Sequence, residues 1–220
     1  MSDITERLFF ALGLPPKTNE KNDGNLKPFQ QLYRLKNTVA AEVQGKPVIN
    51  NNLHITLAFI GAVNQQQKQQ LIANVNRLIA PQAFSISCSG LHYWSRSKVV
   101  WLDCHAYHPV YQQPHQQPSA ALQTLVSLLQ QAVDHSTHCA GIPSASNQAS
   151  ASGYIPHITL CKKVTSRPHL SSLPQQLDFH FQHFGLYISE TIKTAHGSDV
   201  QYRCLQQWAL AAAHFNNGSY

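Results

Sequence analysis

An α+β fold is predicted by three features of the sequence. Short aromatic and β-branched runs that read as strands are interspersed with three helical periods. Two of those runs, Phe84 to Trp94 and Val99 to Leu102, are separated by a short segment containing the turn-forming Arg96-Ser97-Lys98, as in a hairpin. The strand-forming tetrapeptide His-Ile-Thr-Leu occurs twice, at His54 to Leu57 and at His157 to Leu160, in opposite halves of the chain. Several strands follow one another without an intervening helix, which argues against a doubly wound parallel sheet.

Taken in order, Arg7-Leu-Phe-Phe-Ala-Leu12 is short, apolar and aromatic and is stopped by Gly13, Pro15 and Pro16, so it reads as a buried strand. After the polar stretch 18–28, Leu32, Leu35, Val39 and Val43 recur at helical steps until Gly45 and Pro47. Asn52 to Gly61 reads as a strand. Gln65 to Ala80 reads as a helix with Leu71, Ile72, Val75, Leu78 and Ile79 on one face. Beyond the hairpin lies a Pro, His and Gln loop from His105 to Pro118, and Ala120 to His135 restores a helical period through Leu122, Leu125, Val126, Leu129 and Val133. The small, polar segment His138 to Gly153 predicts a mobile loop. Tyr154 to Val164, Phe179 to Ile188 and Tyr202 to Ala212 complete the strands, and Asn216 to Tyr220 is expected to fray.

Composition narrows the function classes. The chain has 220 residues, 43% apolar and only 12% charged, and a mean hydropathy of −0.26; this fits one globular domain with a real core. No apolar stretch approaches the roughly 18 residues of a membrane span, and Asp3 and Glu6 near the start do not fit a secretory signal. Five cysteines, an odd number without Cys-x-x-Cys spacing, predict free thiols in a reducing cytoplasm. A net charge of +6 gives a mild attraction for phosphate-bearing partners, but the basic residues form no run. Glycine-rich phosphate loops, the Gly-x-Ser-x-Gly elbow and His-Glu-x-x-His are all absent, so nucleoside-triphosphate, serine-hydrolase and zinc-protease readings have no support.

The repeated tetrapeptide carries the chemistry. With thirteen histidines in the chain, chance repetition of the three residues after a histidine is expected only about 0.02 times. Side chains alternate along a strand, so His54 shares a face with Thr56, and His157 with Thr159, while the aliphatics turn to the other side. Two such strands related by a pseudo-twofold axis would line a cleft with two imidazoles and two hydroxyls. Metal-free acid–base attack on a phosphodiester needs this equipment: one imidazole takes a proton from water, the other gives one to the departing oxygen, and hydroxyls hold the phosphoryl oxygens. A strained five-membered cyclic phosphate is a suitable substrate.

The sequence resembles the RNA 2′,3′-cyclic phosphodiesterases, also described as 2′-5′ RNA ligases, of the two-histidine phosphoesterase superfamily. The likeness runs from Arg7 to Pro16 through Asn52-Leu-His-Ile-Thr-Leu-Ala-Phe-Ile-Gly61, Val99 to Leu102, Pro156-His-Ile-Thr-Leu160, Leu186-Tyr-Ile-Ser-Glu190 and Tyr202 to Leu210. It implies a single bilobal domain over residues 1–220. Two antiparallel sheets would flank the cleft, helices would pack outside, and each lobe would contribute one His-x-Thr strand. The implied activity is metal-independent, cofactor-free hydrolysis of RNA 2′,3′-cyclic phosphate ends to 2′-phosphomonoesters, with the reverse ATP-independent 2′-5′ joining beside it. By resemblance His54 is the proton donor, His157 the proton acceptor, and Thr56 and Thr159 bind phosphate. The family often has Arg five residues after the second histidine. Lys162 stands there, with Lys163 beside it, keeping the charge but losing the planar fork. The expected partner is an RNA end and the expected state a monomer.

Other combinations are weaker. His105, His108 and His115, or His135, His138 and Cys139, match no strong zinc spacing. Arg167-Pro168-His169 imitates the approach to the second motif but lacks its Thr. Arg96 and Lys98 are either phosphate contacts or a solvated turn. Tyr93, Trp94 and Trp101 are stacking candidates for a nucleic-acid-binding module without turnover.

Overall fold

A computed structural model describes residues 5–14, 27–106, 120–137, 154–166, 176–194 and 197–212. The strands are β1 (Glu6–Gly13), β2 (Lys46–Pro47), β3 (His54–Val63), β4 (Phe84–Trp94), β5 (Val99–Ala106), β6 (His157–Lys162), β7 (Leu177–Phe181), β8 (His183–Thr194) and β9 (Gly197–Ala209). The helices are α1 (Lys27–Glu42), α2 (Gln65–Val75) and α3 (Ala120–Thr137).

Eight strands follow one antiparallel path in the order β7-β4-β5-β6-β3-β1-β8-β9, and β2 adds to β6. The path is two four-stranded halves, β3-β1-β8-β9 and β6-β5-β4-β7, meeting at a single residue pair, Ile55 with Ile158. These are the same residue of the two tetrapeptides, paired antiparallel, which is the relation a local twofold axis through the pair requires. Connectivity repeats the symmetry. β1-α1-β3 and β5-α3-β6 are each a strand, a helix and a motif strand that returns antiparallel beside the first. The helices are exchanged: α1 packs on β6 and β7, while α3 packs on β3 and against α2. Each half is thus backed by the other half's crossover helix, and one apolar core runs through both.

Local sequence explains the curvature. Opposite β1, strand β3 carries two irregularities: Leu8 and Phe9 face Gly61 and Phe59, and Phe10 and Ala11 face Ala58 and Thr56. The extra residues Ile60 and Leu57 bend the strand and increase its twist. Gly61 sits at φ +87°, where a side chain would be strained. The helix start at α2 is fixed by a reciprocal capping box, in which the Asn64 Oδ1 accepts from the Gln67 amide and the Gln67 Oε1 accepts from the Asn64 amide, both at 2.9 Å.

Several boundaries differ from the sequence reading, three of them with consequences for packing or pairing. The expected helix 65–80 stops at Val75, so Ile79, expected on the core face, is 90% exposed. The expected single strand 179–188 is two: β7 ends at Phe181 and pairs with β4, whereas β8 begins at His183 and pairs with β1 in the other half. An unbroken aromatic run hides that corner at Gln182, because periodicity does not report a change of partner. The strand expected over 154–164 is only the hydrogen-bonded segment His157–Lys162. No helix among the described residues is long and apolar enough to cross a membrane.

Candidate active site

Ile55 and Ile158 are wholly buried. The residues on either side, His54, Thr56, His157 and Thr159, therefore project from the opposite face of the sheet, and all four are partly open to solvent. Carrying the Ile55–Ile158 register one residue each way sets His54 beside Thr159 and Thr56 beside His157. The two histidines then lie on the diagonal, about 7–8 Å apart at the backbone.

Both imidazoles are anchored alike. His54 Nδ1 is 2.7 Å from the carbonyl oxygen of Asn52, and His157 Nδ1 is 2.8 Å from that of Ile155. A carbonyl oxygen only accepts, so Nδ1 donates in each ring and the neutral tautomer leaves Nε2 without its proton. Nε2 of His54 lies 3.0 Å from the Thr56 hydroxyl. The side chain that a nucleophile or leaving group would meet is therefore the basic nitrogen of each ring.

The two anchors rest on different supports. The Asn52 side chain is buried and ties the first motif to β9: its Nδ2 donates to the Val200 carbonyl at 2.6 Å and its Oδ1 accepts from the Tyr202 amide at 2.8 Å. Lys36 of α1, itself buried, donates to the Val48 carbonyl at 2.8 Å and to Asn50 Oδ1 at 2.6 Å, fixing the one-turn helix 50–52 that leads into His54. In the second motif, Tyr154 crosses between the halves and donates its hydroxyl to the Thr56 carbonyl at 2.8 Å.

Aromatic rings wall both histidines. His54 stands edge-on to Tyr202, centroids 5.2 Å apart at 89°, and 5.1 Å from Phe9. His157 stands edge-on to Trp94 at 4.8 Å and Trp101 at 5.7 Å. Beside His54 a cavity of about 340 Å³ is bordered by Phe9, Gly13, Tyr187 and Tyr202. Gly13 is required there because a Cβ would collide with the Tyr187 hydroxyl.

Burial holds the His54 imidazole down at about 4. The Asn52 carbonyl opposes this, and the charges of Lys162 and His157 add to it. His157 is also lowered by burial, but the Ile155 carbonyl and the carboxylate of Asp103 oppose the shift. Lys162 reaches the site through a bulge. Strict alternation would turn it away from His157, five residues back, but Val100 pairs with Cys161 and Trp101 with Thr159, leaving Leu160 unmatched. Leu160 and Cys161 are both buried, and Lys162 returns to the histidine face. Its ammonium is lowered by burial, raised by Asp199 and lowered by Lys46. Lys46 pairs with Asp199 at 2.8 Å on the same rim.

The other sequence candidates fall elsewhere. His135 on α3 lies 2.6 Å from the Gln131 carbonyl of its own helix. His108, His115, His138, Cys139 and His169, most of the loop 105–118 and all of the loop 138–153 lie outside the described residues. Among the described residues no group of three or more His, Cys, Asp or Glu is arranged to hold a metal ion. Trp94 and Trp101 pack on each other at 4.7 Å as well as on His157, so they buttress the motif. Sequence reasoning passed over Asn52 as a hydrogen-bonding hub, Phe9 and Tyr202 as walls, and Asp103 beside His157. Strand pairing brings Phe9, Tyr202 and Asp103 to the motifs and ties Asn52, already beside the first, to β9.

Fold and site together resemble those of the two-histidine phosphoesterases. The family model for LigT-like phosphoesterases matches residues 26–101, which include the first motif. The RNA 2′,3′-cyclic phosphodiesterase of Escherichia coli (strain K12) is 26% identical over 212 residues, 93% of this chain and 97% of that enzyme. The crystal structure of E. coli LigT in apo form superposes with a TM-score of 0.69 at 25% identity, covering 95% of this chain and 99% of that one. The same protein complexed with 3′-AMP gives a TM-score of 0.68 at 26% identity over 95% and 99% of the two chains. The chain is similar to LigT-like phosphoesterases across its first motif and to the E. coli enzyme over nearly its whole length, and it is an enzyme.

Proposed function

We propose that this protein hydrolyses the 2′,3′-cyclic phosphate at the end of an RNA to a 2′-phosphomonoester, with His54 as proton donor and His157 as proton acceptor. The observation that carries the reading is the shared anchoring of the two rings. Each is locked by Nδ1 to a carbonyl two residues earlier, so in both rings Nε2 is the basic nitrogen on one face across a local twofold, that of His54 accepting from the Thr56 hydroxyl. The similar protein from E. coli is named an RNA 2′,3′-cyclic phosphodiesterase, which supports the cyclic-phosphate substrate.

In this scheme the cyclic phosphate lies between the two strands. The Thr56 and Thr159 hydroxyls and the Lys162 ammonium meet its anionic oxygens. A water on the His157 side attacks phosphorus as His157 Nε2 takes its proton. The bond from phosphorus to the 3′-oxygen breaks on the opposite side, and His54 Nε2 gives that oxygen its proton. One proton enters the pair and one leaves it, so the reaction restores the pair with its proton on the other ring. His54 must be charged to donate, yet burial and Lys162 keep it neutral in the free protein. The substrate's negative charge supplies the compensation, raising the imidazole's affinity for a proton when phosphate is bound. An acid of intrinsically low pKa then releases its proton readily.

The test is incubation of the purified protein with nucleoside 2′,3′-cyclic phosphates in the presence of EDTA, with the product isomer identified. A 2′-phosphomonoester is expected. A 3′-phosphomonoester, or no turnover of any of the four nucleosides and of an RNA with a cyclic end, would overturn the assignment.

A further inference from the structure

Asp103 on β5 lies directly across the ladder from His157 on β6. Directly opposed residues share a face with Cβ atoms about 4.5–5.5 Å apart, so the carboxylate stands on the same side of the sheet as the imidazole, and no other acidic residue of β4, β5 or β6 does. The carboxylate is clasped from behind: His105 Nε2 is 2.6 Å from Oδ2, and His92 Nε2 is 3.5 Å from the same oxygen. His92 in turn stacks on Trp101 at 4.5 Å, and Trp101 stands against His157. Burial pushes the Asp103 carboxyl up, but the His105 hydrogen bond, the charges of His105 and His92 and the Cys104 amide outweigh it and keep the group ionised.

Among the described residues the first motif has nothing equivalent. Across the ladder from His54 is Gly13, and the nearby charges are cationic, Lys162 and a protonated His157. The site is therefore symmetric in its imidazoles and asymmetric in their surroundings. A carboxylate attends the ring that must gain a proton, and an ammonium attends the ring that must lose one.

We propose that Asp103, clasped by His105 and His92, is the positioning residue that sets the basicity of His157 and so fixes the direction of proton flow through the pair. It touches neither water nor phosphate in this role. As His157 takes the proton of the attacking water it becomes an imidazolium in a half-buried pocket walled by Trp94 and Trp101, and the neighbouring carboxylate stabilises that charge. The groups facing the pair are His92 from β4, Asp103 and His105 from β5, Lys162 from β6 and His54 from β3. Of these only Asp103 is negative. The inference rests on the proposed role of His157 as the general base.

Three variants test it: Asp103→Asn, which keeps the shape and one acceptor but removes the charge; Asp103→Glu, which restores the charge; and His157→Ala. The readouts are the imidazole titration of His157 by NMR and the pH profile of kcat/KM with a cyclic mononucleotide. In Asp103→Asn the His157 midpoint should move to lower pH by about half a unit or more, the profile should move toward acid, and kcat should fall about tenfold with KM little changed. Asp103→Glu should recover most of both shifts. If Asp103→Asn lowers activity while the His157 titration and the profile stay where they are, the residue is merely structural and the inference fails. If His157→Ala itself retains wild-type activity, the proposed function fails, whatever Asp103 does. An Asp103→Asn protein that does not fold is replaced by Asp103→Glu and His105→Gln. The first should stay near the wild-type profile. The second leaves the carboxylate in place without the hydrogen bond and the positive charge that a protonated His105 supplies, so the profile should move toward alkali; a shift toward acid would overturn the proposal.

Discussion

Titration of His54 should place its midpoint near pH 4 in the free protein. Bound phosphate should raise it. The ring is half-buried between Phe9 and Tyr202, with Lys162 facing it, and burial brings its pKa from 6.5 to about 4. At about 1.36 kcal/mol per pH unit, this difference is about 3 kcal/mol in favour of the neutral form. The sign for stability follows from proton binding. Between pH 6.5 and 4 the unfolded chain binds a proton at this position and the folded protein does not, so folding stability falls as the pH falls through that window. The assay is urea unfolding at pH 7 and at pH 4.5, for the wild type and for His54→Gln. The loss of stability on acidification should be smaller in the variant by about 2–3 kcal/mol. NMR titration of the His54 ring should give a midpoint well below 6.5, moving up when inorganic phosphate is added. A midpoint at 6.5 in the free protein, or one indifferent to phosphate, would refute the reasoning.

Other outcomes are expected from the same geometry. His54→Ala and His157→Ala should each lower kcat by several powers of ten, and the double variant should be little worse than either, since the two rings act as a unit; additive losses in steady-state rates would count against the pair. Asn52→Ala removes two buried hydrogen bonds to β9 and the support of the His54 anchor, and should lower stability by about 2 kcal/mol in urea unfolding. Lys162→Ala should raise KM for a cyclic phosphate about tenfold and let the His54 midpoint rise only slightly, since burial is the main cause of its low value, whereas Lys162→Arg should leave both near wild type. Treatment with a chelator should leave turnover unchanged, and activity lost to EDTA and restored by added zinc would reopen a metal mechanism.

Much of this site was legible before any coordinates. A strand's period of two makes His-x-Thr place both side chains on one face, and the repeat announces that a second copy exists. Both inferences depend on local rules, and the burial of Ile55 and Ile158 follows from them. The hairpin of β4 and β5 was equally local, with its turn at Arg96-Ser97-Lys98. What sequence could not convey was pairing. Asp103 is one of ten acidic residues, and nothing along the chain says that it faces His157. Lys162 would be misassigned to the wrong face by alternation alone, because the bulge at Leu160 exists only relative to β5. The corner at Gln182 was invisible for the same reason, since Phe179, Phe181 and Phe184 are all buried, though they serve opposite halves of the sheet. The end of α2 was hidden because Leu78 and Ile79 continue an apolar rhythm past Asn76, where the helix is capped.

The account stands on two rings reaching one phosphorus from opposite sides. A crystal structure with a nucleoside vanadate, whose five-coordinate vanadium imitates phosphorus during attack, measures this directly. His54 Nε2 and His157 Nε2 should each lie within hydrogen-bond distance of a different apical oxygen, with the Thr56 and Thr159 hydroxyls on the equatorial ones. Vanadate held by one histidine while the other points elsewhere would contradict it.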